Sequence, residues 1–140
     1  MKVWVGRLLG RLRRAIPARR APVEDRAALG RWGEDLAARE LRRRGYQVLE
    51  RNQRVGRGEV DLVARHGRTV VLVEVKTRRA GAFGEARDAI STAKARRLVA
   101  LGQRYAQTAG ATDWRIDVVA IDIAPDGGYT VEVIENAVGD

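Results

Sequence analysis

The fold is decided by one short segment, VVLVEVK at residues 70–76, in which an apolar run leads into a glutamate and a lysine. A continuous apolar run of this kind predicts a central strand that is covered on both faces. On such a strand Glu74 and Lys76 point to the same face. An unpaired buried charge costs several kcal/mol, so the sequence requires a compensating group, and a bound cation would supply it.

The segment before this strand predicts a partner for Glu74. Residues 59–65 alternate charged and apolar side chains, and residues 66–68 form a turn, so the two segments are expected to form a hairpin. With the turn centred on residues 67–68, Asp61 lies directly opposite Glu74, with their Cβ atoms about 4.5–5.5 Å apart. Two carboxylates at that separation repel each other unless a proton or a metal ion lies between them.

This group of side chains has the composition that phosphodiester hydrolysis requires. Carboxylate oxygens are the preferred ligands of Mg²⁺ and also suit Mn²⁺, and such an ion activates water and neutralises charge on the phosphate. Lys76 would orient the attacking water or stabilise the transition state. The residues alone leave one alternative open, an ion-pair network at a sheet edge that joins Glu74 to Lys76 and Asp61 to an arginine.

The remaining periodicities predict an α/β fold with a central mixed five-stranded sheet flanked by helices. The element order is α-β-β-β-α-β-β. Besides the hairpin, it consists of helices over 24–44 and 91–107 and strands over 46–50, 114–123 and 129–134. Gly30 and Gly33 lie inside the first helix, which predicts a close approach of its backbone to the sheet.

The charge is distributed unevenly along the 140 residues. The chain carries 27 basic and 18 acidic residues, a net charge of +9, and residues 1–23 hold seven basic residues and no acidic one. The other 117 residues therefore carry 20 basic and 18 acidic residues, a net charge of +2. We expect residues 1–23 to form a basic N-terminal arm, disordered or a short amphipathic helix, and residues 24–140 to form one domain that carries the acidic residues described above.

Composition also limits the partners and the location. The basic excess points to a polyanion such as nucleic acid. The sequence has no cysteine, which excludes disulfides and thiolate metal sites and agrees with a cytoplasmic location. No apolar run approaches the roughly 18 residues that a membrane span needs.

Several further motifs carry a resemblance to a known family. They are Gly33-Glu34, GEVDL at 58–62, VEVKTR at 73–78, Lys94, and RIDVV at 115–119. Together they resemble the YraN-like family of small bacterial proteins, over roughly residues 27–136. That family is similar to the restriction-endonuclease-like superfamily, whose signature is an Asp followed at a distance by Glu-x-Lys. The archaeal Holliday-junction resolvases are its closest functional analogues.

The resemblance implies roles for individual residues. Asp61, Glu74 and Glu34 would be metal ligands for Mg²⁺ or Mn²⁺, and Lys76 the catalytic lysine. For Glu34 the alternative is an ion pair with a neighbouring arginine of its own helix. Contacts to nucleic acid are expected from five basic residues: Lys94, Arg78, Arg42, Arg43 and Arg44.

Three functions follow from these observations. The first is a metal-dependent endonuclease that hydrolyses phosphodiester bonds in DNA, including branched or repair intermediates, as a homodimer where both strands are cut. The second is a nucleic-acid-binding module on a nuclease scaffold that does not cleave. The third is a purely structural or protein-interaction domain.

Some residues outside this set also invite predictions. Arg115 and Asp117 share a strand face, where a structural ion pair is expected, with a supporting role beside the site as the alternative. His66 is expected to be an exposed turn residue, and a single histidine excludes a histidine-based metal site. Lys94 and Tyr105 are eleven residues apart on one helix, nearly on the same face, and would be able to share a substrate surface.

Overall fold

The computed structural model of the chain describes residues 2–3, 12–16, 25–79 and 90–139. Its elements are β1 (Lys2–Val3), β2 (Leu12–Ile16), α1 (Arg26–Arg43), β3 (Gln47–Val55), β4 (Gly58–His66), β5 (Thr69–Arg79), α2 (Thr92–Ala109), β6 (Trp114–Ile123), β7 (Tyr129–Ile134) and β8 (Val138–Gly139). From α1 to β7 this is the predicted order, α-β-β-β-α-β-β. Within the described ranges, no helix has the length and apolar character needed to cross a bilayer.

The main sheet is mixed, as predicted, and β5 lies near its centre. The strand order is β2-β7-β6-β5-β4-β3, in which only β5 and β6 are parallel. Val71 and Val73 of β5 pack in the core under α1, whereas Val70 and Leu72 pack in the core under α2. The apolar run of β5 is therefore buried on both faces, and the two helices cover opposite faces of the sheet.

The N-terminal segment adds a strand that the sequence does not predict. Leu12–Ile16 pair antiparallel with β7, from Leu12↔Val133 to Ile16↔Tyr129, and Lys2–Val3 pair with β8. The five predicted strands thus gain a sixth, and the expected amphipathic helix is wrong at these positions. The outer edge of β7 carries backbone groups that need partners, and β2 supplies them. The other residues of 1–23 lie outside the residues that the structure describes. The boundary near residue 23 between the N-terminal arm and the domain therefore stays a prediction.

Helix α1 lies close to β5 at one glycine. Its N-terminus is capped by Asp25, whose carboxylate accepts a hydrogen bond of 3.0 Å from the Ala27 N–H. A Cβ at Gly33 would overlap Thr77 Oγ1 of β5, whereas a Cβ at Gly30 would meet no atom within 4 Å. The predicted close approach is therefore confirmed for Gly33 and wrong for Gly30.

Helix α2 returns the chain from one end of β5 to the other, because β5 and β6 are parallel and need a crossover. Ser91 caps its first turn by accepting from the Lys94 N–H at 3.2 Å, and it ends at Gly110 with a φ of 67°. The helix over Thr92–Ala109 thus begins and ends within two residues of the predicted range 91–107. The start of α2 therefore lies beside the end of β5, and its last turn beside the β4–β5 turn.

Candidate functional site

Strands β4 and β5 separate at the predicted acidic residues. They pair from His66↔Thr69 to Leu62↔Val73, in the predicted register, and the ladder ends there. Beyond this point β4 stays paired with β3 and β5 with β6. We call the opening between residues 58–61 and 74–79 the fork. Asp61 and Glu74 are the first residues on its two sides, so they are neighbours across the fork and not a ladder pair.

The Asp61 side chain is fixed by the strand from which β4 separates. Its Oδ2 accepts a hydrogen bond of 2.8 Å from the Val75 N–H, a backbone donor just beyond the last ladder pair. Asp61 is half-buried at this position. The carboxylate therefore points across the fork toward β5, as a ligand or a base at this position must.

Helix α1 brings a second carboxylate to the fork. Glu34 follows the close contact at Gly33, and its Oε2 accepts from Asn52 Nδ2 at 3.2 Å. Arg51 Nη2 lies 4.0 Å from the same oxygen. The partners of Glu34 are thus on β3, and not on its own helix as the alternative required.

Asn52 is a positioning residue that the sequence analysis missed. It stands opposite Asp61, between the pairs Arg51↔Leu62 and Gln53↔Val60, where no β3–β4 pair forms. Its φ is 51°, in the left-handed region that asparagine tolerates better than most residues. The irregular backbone turns the amide toward Glu34. Asn52 lies beyond the strand predicted over 46–50, so the sequence pattern did not indicate this role.

The charge of Glu74 is compensated by Lys94. Glu74 is buried, with 6% of the residue exposed, and the Lys94 ammonium contacts its Oε1. The compensation that a buried charge requires therefore comes from α2. Lys76 lies two residues beyond Glu74 on the same face of β5 and is half-buried. Within residues 25–79 and 90–139 no ion pair of Lys76 is formed.

The acids influence one another across the fork. Burial raises the pKa of Asp61 to about 7, and the neighbouring charges of Glu74 and Glu34 act in the same direction. The Val75 N–H and the Lys94 ammonium oppose this rise in the pKa. Three carboxylates and one ammonium group therefore form a single electrostatic cluster around Asp61.

The carboxylates are not gathered around one point. Among the residues that the structure describes, no three Asp, Glu, His or Cys side chains converge as a metal-binding group. Each acid at the fork has its own donor instead: Val75 for Asp61, Asn52 for Glu34, and Lys94 for Glu74. The described site thus offers clustered oxygen donors without a preformed cage.

Of the four arginines predicted to contact nucleic acid, Arg78 lies on the β5 side of the fork and the other three lie at the end of α1. Arg78 forms a bidentate ion pair with Asp122 of β6, at 2.8 and 3.0 Å. Arg43 and Arg44 bind the buried carboxylate of Glu40, at 2.8 and 3.1 Å. Arg42, Arg43 and Arg44 are at the last turn of α1, and Arg43 is about 14 Å along the axis from Glu34. The structure brings Glu34, Asp61, Glu74 and Lys94 together and leaves these arginines outside the cluster.

A second polar network lies at the other end of β4. Asp117 is fully buried and accepts from Arg115 Nε at 2.8 Å, from the Tyr46 hydroxyl at 2.7 Å and from the Asn136 N–H at 2.9 Å. The predicted ion pair of Arg115 and Asp117 is confirmed. His66 is half-buried, stacks on Tyr46 with 4.1 Å between the ring centroids, and has its Nδ1 2.9 Å from Arg115 Nη2. Its expected exposure in the turn is therefore wrong.

With the site described, the family can be assigned. Residues 33–121, which include every residue of the fork cluster, match the model of the Uncharacterised protein family UPF0102. The chain belongs to this family. The match confirms the prediction, based on the sequence motifs, that the chain belongs to a family of bacterial proteins.

Individual relatives in UPF0102 extend over most of the chain. A UPF0102 protein of Roseiflexus castenholzii is 50% identical, over 70% of this chain and 82% of that protein. One of Streptomyces coelicolor is 47% identical, over 80% and 89%, and one of Sorangium cellulosum is 37% identical, over 89% and 91%. Among solved structures, Pyrococcus furiosus SfsA in complex with Ca²⁺ is 15% identical with a TM-score of 0.35, covering 94% of this chain and 80% of that one.

Proposed function

We propose that this UPF0102 protein is a metal-dependent endonuclease that hydrolyses phosphodiester bonds in DNA, including branched or repair intermediates. The observation that carries the proposal is the fork, where Asp61 and Glu74 face each other as β4 leaves β5. Glu34 and Lys94 reach the same opening from the two helices. The sequence resemblance to the restriction-endonuclease-like superfamily supports this interpretation of the site.

The donor set suits a hard divalent cation. Mg²⁺ prefers oxygen ligands, keeps several waters and is often held by only one or two carboxylates. Asp61 and Glu74 would hold Mg²⁺ or Mn²⁺, with Glu34 as a further ligand, so a preformed cage of three acids is not required. Burial is the main cause of the raised pKa of Asp61, and the neighbouring charges of Glu74 and Glu34 add to it; a bound cation would favour the ionised carboxylate. When bound, the ion would polarise the phosphate and lower the pKa of a water.

The two lysines would take different parts in the reaction. Lys76 shares the face of Glu74, and its ammonium has no partner in the described ion pairs. We assign it to orienting the attacking water or to stabilising charge on the phosphate. Lys94 neutralises Glu74 when no cation does so, and it would be released to contact a backbone phosphate when one does.

The proposal extends to partners and location. The net charge of +9 favours a polyanionic substrate. One fork cuts one strand, so cutting both strands of a junction requires two copies, and a two-fold homodimer is the simplest arrangement. A DNA substrate and the absence of cysteine from the sequence both suit the cytoplasm.

The decisive experiment combines metal binding with cleavage. Mn²⁺ and Mg²⁺ are titrated calorimetrically into wild type, Asp61→Ala, Lys76→Ala and the exposed control Glu59→Gln, and a labelled four-way junction is then added. We expect Asp61→Ala to lose both metal binding and cutting, Lys76→Ala to lose cutting alone, and Glu59→Gln to retain both. Metal binding that is unchanged in Asp61→Ala would contradict the assigned ligand.

Two observations favour a second function: Glu74 is already neutralised by Lys94, and no three acids converge in the described residues. On that basis the chain would be a nucleic-acid-binding module that does not cleave. The same experiment separates the two functions. A binding module would show no metal-dependent cutting, and Asp61→Ala would bind nucleic acid as well as wild type or better, because a negative charge has been removed.

A further inference from the structure

A cavity lies at the end of α2 that is remote from the fork. Its volume is about 420 Å³, within the range of roughly 300–1,000 Å³ that small-molecule sites occupy. It opens between the last turn of α2 and the turn that joins β4 to β5. The residues of its wall that matter here are Leu49, Arg65, Arg68, Tyr105 and Asp113.

The cavity combines cations with apolar and aromatic walls. Arg65 and Arg68 have exposed side chains, and a guanidinium group binds phosphate oxygens through two parallel hydrogen bonds. Tyr105 is half-buried, and its hydroxyl donates to Glu50 Oε2 at 3.1 Å, which fixes the ring. Leu49, 38% exposed, is the one large exposed hydrophobic residue in the described part of the chain. Such walls suit the flat face of a nucleobase.

An acid completes the wall. The Asp113 carboxylate accepts from the Thr69 hydroxyl at 3.1 Å, and its backbone carbonyl accepts from the Val70 N–H at 3.0 Å. This residue is therefore held in place at the cavity. A carboxylate accepts hydrogen bonds from the amino group of a base or from ribose hydroxyls, whereas it would repel a second phosphate.

We infer that this cavity binds one nucleoside monophosphate unit, with its phosphate at Arg65 and Arg68 and its base between Leu49 and Tyr105. The site is separate from the fork. The inference rests on the proposed function in one respect only: the nucleoside monophosphate unit is taken to belong to a strand that is cut at the fork.

Helix α2 connects the two places. Lys94 at the fork and Tyr105 at the cavity are eleven residues apart, about 16 Å along the helix axis. Between them Leu101 packs on Gly58, and the Arg104 guanidinium lies beside Gly56. At about 3.4 Å per nucleotide along one strand, this distance corresponds to roughly five nucleotides. Because helix–sheet packing fills the direct line, a strand engaged at the fork would pass around it and place a nucleotide in the cavity at least about five steps away.

The ligand is tested with AMP and inorganic phosphate. Both are titrated into the full chain and followed by NMR, for wild type, Arg65→Gln/Arg68→Gln and the charge-matched control Arg31→Gln/Arg39→Gln, whose arginines are exposed on α1. We expect AMP to bind wild type at least about tenfold tighter than phosphate, and the cavity variant to lose about tenfold in affinity. Equal affinities for AMP and phosphate, or equal losses in both double variants, would overturn the inference.

The link to the strand is tested separately. A ten-nucleotide single strand should displace AMP, and Asp61→Asn should bind AMP as wild type does, because the fork does not take part. AMP binding that the strand cannot displace would identify a free nucleotide as the ligand and overturn the link to cleavage. Failure of cleavage in every substrate would contradict the proposed function and leave the AMP result standing, so the two failures are distinguishable.

Discussion

The Asp61 carboxylate, one residue beyond the last residue pair between β4 and β5, accepts a hydrogen bond of 2.8 Å from the Val75 N–H. This contact holds an acid in a half-buried position beside two others. The pKa of Asp61 is about 7 as a result, against an ordinary value of 3.8. The contact therefore fixes the direction of the carboxylate, whereas burial and the charges of Glu74 and Glu34 raise its pKa against the opposing effect of this hydrogen bond.

The stability of the protein should fall as the pH rises toward 7. The folded chain keeps the Asp61 proton at pH values where the unfolded chain has lost it, so the free energy of unfolding decreases from about pH 4 to about pH 7. Asp61→Asn removes the titration and still accepts from Val75. We expect its melting temperature in a chelator to exceed that of wild type at about pH 8, with a difference that shrinks toward pH 4. Glu59→Gln, at an exposed position, serves as the control, and a difference independent of pH would contradict the prediction.

The two glycines of α1 should respond in opposite ways to alanine. Gly33→Ala places a Cβ against Thr77 Oγ1 and should destabilise the chain by about 1–3 kcal/mol. Gly30→Ala meets nothing and should stabilise it by up to about 1 kcal/mol through helix propensity. Urea unfolding measures both changes. Thr77→Ala should restore part of the loss in Gly33→Ala, and a loss of equal size in the two alanine variants would show that the close approach is not its cause.

The Asp117 network should contribute strongly to stability. Arg115→Ala leaves a fully buried carboxylate without its cation, which typically costs about 3–5 kcal/mol. Tyr46→Phe removes one hydrogen bond to the same carboxylate and should cost about 1–3 kcal/mol. Arg39→Ala, an exposed arginine on α1, should change the free energy of unfolding by less than about 0.5 kcal/mol. Equal effects of Arg115→Ala and Arg39→Ala in chemical unfolding would refute the role of the network.

Lys94 should oppose metal binding and favour binding of the substrate. Lys94→Gln removes the ammonium group that contacts Glu74, so Mn²⁺ should bind about tenfold tighter. Nucleic-acid binding should weaken at the same time, because a phosphate contact is lost. Calorimetry and a gel-shift assay measure the two effects. Arg96→Gln, on an exposed position of the same helix, controls for net charge, and weaker Mn²⁺ binding in Lys94→Gln would contradict the proposed competition.

Much of the fold could be predicted because its signals are local. The apolar run of β5 and the ends of α2 depend on neighbouring residues; β5 is observed as the predicted strand, and α2 lies within two residues of its predicted bounds. The hairpin register followed from a turn centred at residues 67–68 and holds from Leu62 to His66. The predicted pairing stops at Leu62, because the Val75 N–H donates to the Asp61 side chain and not to a backbone carbonyl of β4.

The contacts that were missed depend on how separate elements pack. We expected Glu74 to pair with Lys76 or with a cation. Helix α2 packs so that Lys94, 20 positions later in the sequence, contacts it. The left-handed backbone conformation of Asn52 leaves no periodic pattern in the sequence, so it could not be predicted. Residues 12–16 have apolar side chains at helical spacing, yet the open edge of β7 pairs with them as a strand.

The four charged groups at the fork are carried by α1, β4, β5 and α2, and Lys94 comes last in the chain. During synthesis the three acids are made before the lysine that neutralises Glu74. Until α2 has docked, Glu74 therefore lacks the ammonium group that neutralises it at the fork. Helix α2 and strand β6 also supply much of the second core, so a ribosome-bound or clipped chain that ends before α2 would have neither a closed core nor a finished site.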